Sequence, residues 1–150
     1  MKTRILIAED EPLMRERLLD MLDTAWPEAE VVQVAENGND AWDGFLEHEP
    51  EVVFLDIRMP GLSGLEVAER IGKSAHIVFV TAYDQYAVDA FDAGVVDYLL
   101  KPVQADRLER AVARLRSKLG AAPVDLGDIL RQLKTAIPEP KREKMKWIKA

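Results

Sequence analysis

Residues 52–64 read VVFLDIRMPGLSG. Val52 to Leu55 are four consecutive apolar residues, two of them β-branched, which is the pattern of a strand buried on both faces. Asp56 follows directly, where such a strand leaves the core, and Pro60, Gly61 and Gly64 then supply loop chemistry. In open α/β sheets, ligands bind outside the carboxyl ends of the strands, so an acid at that edge marks a candidate site. An aspartate that merely closes a loop would need no company, so the reading depends on what the other strand ends carry.

Working outward, Arg4 to Ala8 (RILIA) is an apolar run that ends in Glu9, Asp10 and Glu11, with Pro12 at a first helical position. Leu13, Met14, Arg17, Leu18, Met21 and Leu22 recur at helical spacing up to Trp26-Pro27. Glu30 to Ala35 reads as a second strand. Asn37 to Asp40 is turn and cap chemistry for a helix that runs to about Glu49, with Ala41, Trp42, Phe45 and Leu46 on one face. Beyond the Asp56 loop, the pattern predicts a helix over 65–71, a buried strand His76–Val80 ending in Thr81, a helix over 85–93 stopped by Gly94, a strand 95–100 ending in Lys101-Pro102, and a last helix over 105–119. Five strands alternating with five helices, joined by right-handed crossovers, give a doubly wound parallel sheet. The flavodoxin-like order 2-1-3-4-5 fits, with helices on both faces and the switch point between the first and third strands. No glycine-rich phosphate loop follows the first strand, which argues against dinucleotide binding.

Four of the five strand ends then carry Glu9 with Asp10, Asp56, Thr81 and Lys101. Carboxylates drawn together repel one another unless a cation sits among them, and hard oxygen ligands with room for water suit Mg²⁺. A divalent ion beside a lysine ammonium and a threonine hydroxyl is a device for stabilising a phosphoryl group in transfer. Asp56, on the central strand, is the natural nucleophile, and its attack through oxygen gives an acyl phosphate.

Composition narrows the classes. The 150 residues are 48% hydrophobic, enough for a sizeable core, and a formal net charge of -7 opposes nucleic-acid or anionic-membrane binding by long-range attraction. There is no cysteine for thiolate chemistry, and no apolar run reaches the roughly 18 residues of a membrane span, so the expected location is the cytoplasm. Residues 1–119 form the expected domain. Residues 120–150 read as a linker with a short helix, carrying Leu126, Ile129, Leu130, Leu133 and Ile137 at helical spacing, and a basic tail of Lys141, Arg142, Lys144, Lys146 and Lys149.

The segments LIAEDEPLMR, VVFLDIRMPGLSGLE, VFVTAYDQYAVDAF and VDYLLKPV resemble, in order and spacing, the response regulator receiver domains of two-component signalling. The resemblance covers residues 4 to about 119. It implies that Asp56 accepts a phosphoryl group from a cognate histidine kinase, and that Asp10 and Asp56 bind Mg²⁺, with Glu9 acting through water and the backbone carbonyl of Arg58 completing the set. Thr81 would be the switch hydroxyl, Tyr98 its aromatic partner and Lys101 the phosphate-contacting lysine, with a cis bond before Pro102. TAYDQYAVDAFDAGVVDYLLKP resembles in particular receivers of the LytTR class, whose effector binds DNA; MKWIKA at 145–150 resembles the opening of such a domain, so DNA contact is expected only through a domain absent here.

The rival function is an aspartyl-phosphate phosphotransferase or phosphatase. Such enzymes use a second aspartate two residues after the nucleophile, and here that position is Arg58, so a switch rather than an enzyme is expected. A further expectation concerns assembly. Asp84, Asp89, Asp92 and Asp97 make residues 84–97 acidic, whereas Arg107, Arg110 and Arg114 make the last helix basic. Facing one another across a two-fold axis, these patches predict a homodimer through helix 4, strand 5 and helix 5, strengthened when Thr81 and Tyr98 move inward on phosphorylation.

Overall fold

The computed structural model describes residues 2–123. The expected linker helix and basic tail lie outside the described residues. Within them the order is β1 (Arg4–Ala8), α1 (Pro12–Ala25), β2 (Glu30–Ala35), α2 (Gly38–His48), β3 (Val52–Leu55), α3 (Gly64–Ile71), β4 (His76–Thr81), α4 (Ala87–Ala93), β5 (Asp97–Leu100) and α5 (Ala105–Lys118). All strand pairs are parallel and the sheet order is β2-β1-β3-β4-β5, as expected for a flavodoxin-like doubly wound sheet.

Period-two alternation sends the strand side chains to two cores. Leu6, Val53, Leu55, Ile77 and Phe79 pack against α2, α3 and α4 through Ala41, Phe45, Leu65, Ala68 and Ala90. Ile5, Ile7, Phe54, Val78 and Leu99 pack against α1 and α5 through Leu18, Leu22, Leu108, Val112 and Leu115. Every residue of β3 and β4 is buried, which is why their sequences read as unbroken apolar runs. Each fully buried Phe, Leu or Ile contributes about 1.5–3 kcal/mol, and the sheet is held chiefly by these two layers.

Local signals set the helix starts. Asn37 caps α2 by accepting from Asp40 N at 2.8 Å, and Ser63 with Glu66 forms a capping box on α3. The seven-residue α4 has no side-chain cap and ends at Gly94, whose φ of 108° lies in the left-handed region that glycine tolerates. Two apolar residues expected on inner faces are outside instead. Leu13, in the first turn of α1 beyond the sheet edge, is 82% exposed, and Leu46 is 57% exposed because the buried line of α2 runs through Ala41 and Phe45, a step around the helix.

Candidate phosphoacceptor site

The carboxyl edge of the sheet brings Glu9, Asp56, Thr81 and Lys101 together. Asp56 N donates to Ala8 O at 3.0 Å, fixing the end of β3 beside β1, and Lys101 N donates to Thr81 O at 3.0 Å, fixing β5 beside β4. Gly64 makes the Asp56 turn possible: a Cβ there would stand 2.0 Å from Asp56 O, with only backbone around it to give way. Lys101-Pro102 is cis, as the resemblance implied.

The Lys101 ammonium is the centre of the cluster. Nζ lies 2.8 Å from Asp56 Oδ2, 2.8 Å from Glu9 Oε1 and 2.5 Å from Glu11 Oε1. Burial works against its charge, but the close contacts with Asp56, Glu11 and Glu9 outweigh burial and hold its pKa above the usual lysine value. Glu9 is buried, and desolvation, opposed by Lys101 and by Glu11 N, pushes its pKa up to about 7. Its Oε1, although close to Lys101, is out of line for a hydrogen bond and is a buried carboxylate oxygen without one.

Oxygens of Glu9, Glu11 and Asp56 lie within 4.8 Å of one another, a set that could hold a metal ion. The donors are all carboxylate oxygens, and an unsatisfied buried one is among them, so the residues fit a hard divalent cation such as Mg²⁺. Asp10, expected as a ligand beside Asp56, is not in this set; Glu11 stands there instead, because the set is gathered around Lys101, whose ion pairs among the described residues are with Glu9, Glu11 and Asp56. The three consecutive acids were visible in the sequence, but nothing in their spacing says which would turn toward the lysine.

Thr81 and Tyr98, the two residues expected to form the switch, are both buried. Thr81 is fully buried and its Oγ1 accepts from Tyr83 N at 3.4 Å. Tyr98 is buried between Phe79 and Phe91, and its hydroxyl donates to Tyr83 O. Burial above all holds its phenol well above the usual tyrosine pKa. The Tyr98 side chain, expected to move inward, is thus already inward. Arg58 N reaches Asp56 Oδ1 at 3.4 Å, and its guanidinium sits 4.7 Å over the Tyr83 ring, a contact sequence reasoning missed.

The expected dimer face needs correction at Asp97. Asp97 is not exposed but fully buried: Arg107 grips both carboxylate oxygens from the same subunit, Arg114 Nη1 lies 3.6 Å away, and Tyr98 N donates to Asp97 Oδ1 at 2.8 Å. The side chain that follows Val96 in β5 points toward α5, so Asp97 and Arg107 are spent internally. Asp84, Asp89, Asp92 and Arg110 remain exposed, as does Arg114 in part of its length, and α4 and β5 also expose Val88, Phe91 and Leu100, at 73%, 42% and 46%.

Comparison with known proteins agrees with this arrangement. The profile of the response regulator receiver domain matches residues 5–113. An uncharacterized response regulatory protein of Vibrio cholerae serotype O1 is 42% identical over 97% of this chain and 58% of its own length. The sensory transduction protein LytT of Oceanobacillus iheyensis is 42% identical over 83% of the chain and 52% of its own, and the transcriptional regulatory protein BtsR of Escherichia coli K12 is 40% identical over 82% and 52%. The chain thus spans about half the length of these curated relatives. Among solved structures, the REC domain of AraT from Geobacillus stearothermophilus is 36% identical with a TM-score of 0.73, covering 80% of this chain and 97% of that one. The response regulatory domain of mrkE from Klebsiella pneumoniae is 30% identical with a TM-score of 0.73, over 79% and 98%. Sequence motifs, sheet order and these relatives converge: the chain belongs to the response regulator receiver domain family, alongside regulators of the LytT and BtsR type.

Proposed function

We propose that this receiver is a phosphorylation switch that takes a phosphoryl group on Asp56 from a histidine kinase and passes the change to a transcription output. The observation that carries it is the Asp56 carboxylate at the end of β3, with the Lys101 ammonium 2.8 Å from Oδ2 and an unsatisfied Glu9 oxygen in the same cluster. An Asp56 oxygen attacks the phosphorus of a phosphohistidine; the P–N bond breaks, its electron pair stays on the ring nitrogen, and an acyl phosphate remains on Asp56. As the resemblance implies, Asp10 and Asp56 would hold Mg²⁺, with Glu9 acting through water and the Arg58 carbonyl completing the set, although the oxygens found together are those of Glu9, Glu11 and Asp56; the ion would neutralise charge on the phosphoryl oxygens. Lys101 offers its point charge to the phosphoryl group, and Thr81 its hydroxyl.

The output is inferred from LytT, a sensory transduction protein, and BtsR, a transcriptional regulatory protein, and we take a cytoplasmic location and a histidine kinase partner as part of the same reading. Among the described residues no helix is long and apolar enough to cross a membrane. Arg58, where related aspartyl-phosphate enzymes carry an acid, makes the chain a phosphoacceptor rather than a turnover enzyme. Self-association is assigned to α4, β5 and α5, with Val88, Phe91 and Leu100 at the centre and Asp84, Asp89, Asp92 and Arg110 at the rim. Incubation with Mg²⁺ and a small acyl phosphate, followed by intact mass, tests the central step. One phosphoryl group, labile to hydroxylamine and lost in Asp56→Asn, is expected; uptake of the same labile group by Asp56→Asn refutes the assignment.

A further inference from the structure

Glu11 stands outside every role the resemblance implied, yet it makes the shortest of the three contacts to Lys101, 2.5 Å from Oε1 to Nζ. Its position is unlike that of the other two partners. Glu9 and Asp56 are buried, whereas the Glu11 side chain is 62% exposed, at the lip of an open hollow of about 410 Å³ lined also by Leu13, Met14, Arg17, Ala82 and Pro102. Glu11 is the N-cap residue of α1, but its side chain makes no capping hydrogen bond and turns to Lys101. The carboxylate thus forgoes the helix end, where it would be favoured, to hold the ammonium.

We propose that Glu11 is a positioning residue that restrains Lys101, holding the phosphate-contacting ammonium on the α1 side of the pocket and lowering the readiness of Asp56 to take a phosphoryl group from small donors. This inference rests on the phosphoacceptor reading above. Three carboxylate oxygens crowd the Lys101 ammonium within 2.8 Å, two of them accepting its hydrogen bonds, so a phosphoryl oxygen must compete with them for it. Glu11 also adds a negative charge facing an incoming phosphoryl dianion. Both effects act in the same direction, and only the restraint passes through Lys101. In the reaction with a small acyl phosphate, an Asp56 oxygen forms the new P–O bond while the bond from phosphorus to the donor's carboxylate oxygen breaks, and that carboxylate leaves with the electron pair.

The test compares wild type, Glu11→Gln, Glu11→Asp, Lys101→Met and Glu11→Gln/Lys101→Met for the rate of phosphorylation by a small acyl phosphate, each at its own saturating Mg²⁺ because Glu11 is among the carboxylates that could hold the ion, and at fixed ionic strength. Glu11→Gln is expected to react about threefold faster, the size that an exposed ion pair yields. Glu11→Asp keeps the charge but shortens the reach, and it is expected to gain the larger part of that increase, the part that comes from releasing Lys101. In the Lys101→Met background, Glu11→Gln is expected to keep only the smaller gain that comes from removing the charge facing the donor. An independent readout, free of the reaction and of Lys101→Met folding, is hydrogen exchange at the Lys101 ammonium by NMR: protected in wild type, faster in Glu11→Gln. If Glu11→Gln is no faster, if Glu11→Asp matches wild type, or if ammonium exchange is unchanged, the restraint is refuted while the phosphoacceptor reading stands. A wild type that takes up no phosphoryl group overturns both.

Discussion

Replacing Asp97 with Asn distinguishes an internal clamp from an interface residue. Asn keeps the shape and an acceptor for Tyr98 N, but it removes the charge and turns the other oxygen into an N–H donor facing Arg107. Breaking a buried pair from one side costs about 3–5 kcal/mol, because the partner charge is left uncompensated. Here the partners can partly rehydrate, since the Arg107 side chain is 29% exposed and that of Arg114 is 53% exposed. The cost is accordingly set lower, at about 2–3 kcal/mol, which for a domain of this size lowers Tm by roughly 6–12 °C. Urea unfolding of wild type and Asp97→Asn at neutral pH, in low and moderate salt, measures it. Because the carboxylate is fully buried, most of the loss should survive added salt. A loss under about 0.5 kcal/mol, the size expected of an exposed surface residue, would refute the clamp and return Asp97 to the dimer face.

Two other outcomes follow from the same coordinates. The Glu9 pKa, raised by burial from 4.5 to about 7, means that the folded protein binds a proton which the unfolded chain releases between those values, so stability falls as pH rises from about 4.5 to 7 and levels off above it. The slope is worth at most about 3 kcal/mol and should vanish in Glu9→Gln; denaturant midpoints across that range, measured without divalent ions, check it, and an unchanged slope in Glu9→Gln would refute it. For the dimer, sedimentation in the presence of an acyl-phosphate mimic should show weak self-association that Val88→Glu, at a 73% exposed position, abolishes and that Arg110→Glu and added salt reduce modestly; a monomer at high concentration would refute that face.

The strands were legible because β1, β3 and β4 are buried on both faces and therefore spell out continuous apolar runs, with the site residues at their ends. Parallel crossovers then left the sheet order little freedom, and the order placed Glu9, Asp56, Thr81 and Lys101 at one edge. Pairing between side chains was not legible. In a four-residue strand buried on nearly every position, alternation gives no sign that Asp97 faces α5 while Tyr98 faces α4, and its partner Arg107 lies ten residues away on a different element. Glu11 has no part in the site that the sequence suggests, because side-chain direction in a loop depends on where Lys101 ends up, 90 residues later. The stacking of Arg58 on Tyr83 likewise joins two loops that no local pattern connects.

The account turns on Asp56 as the phosphoacceptor, and localisation of the phosphoryl group tests it most directly. After incubation with Mg²⁺ and a small acyl phosphate, borohydride reduction converts the phosphorylated aspartate to homoserine, and peptide mass spectrometry locates it. The prediction is conversion at Asp56 alone, with Asp10 and Glu9 untouched and no conversion in Asp56→Asn. Conversion at any other carboxylate in the wild type, or equal conversion in Asp56→Asn, would contradict it.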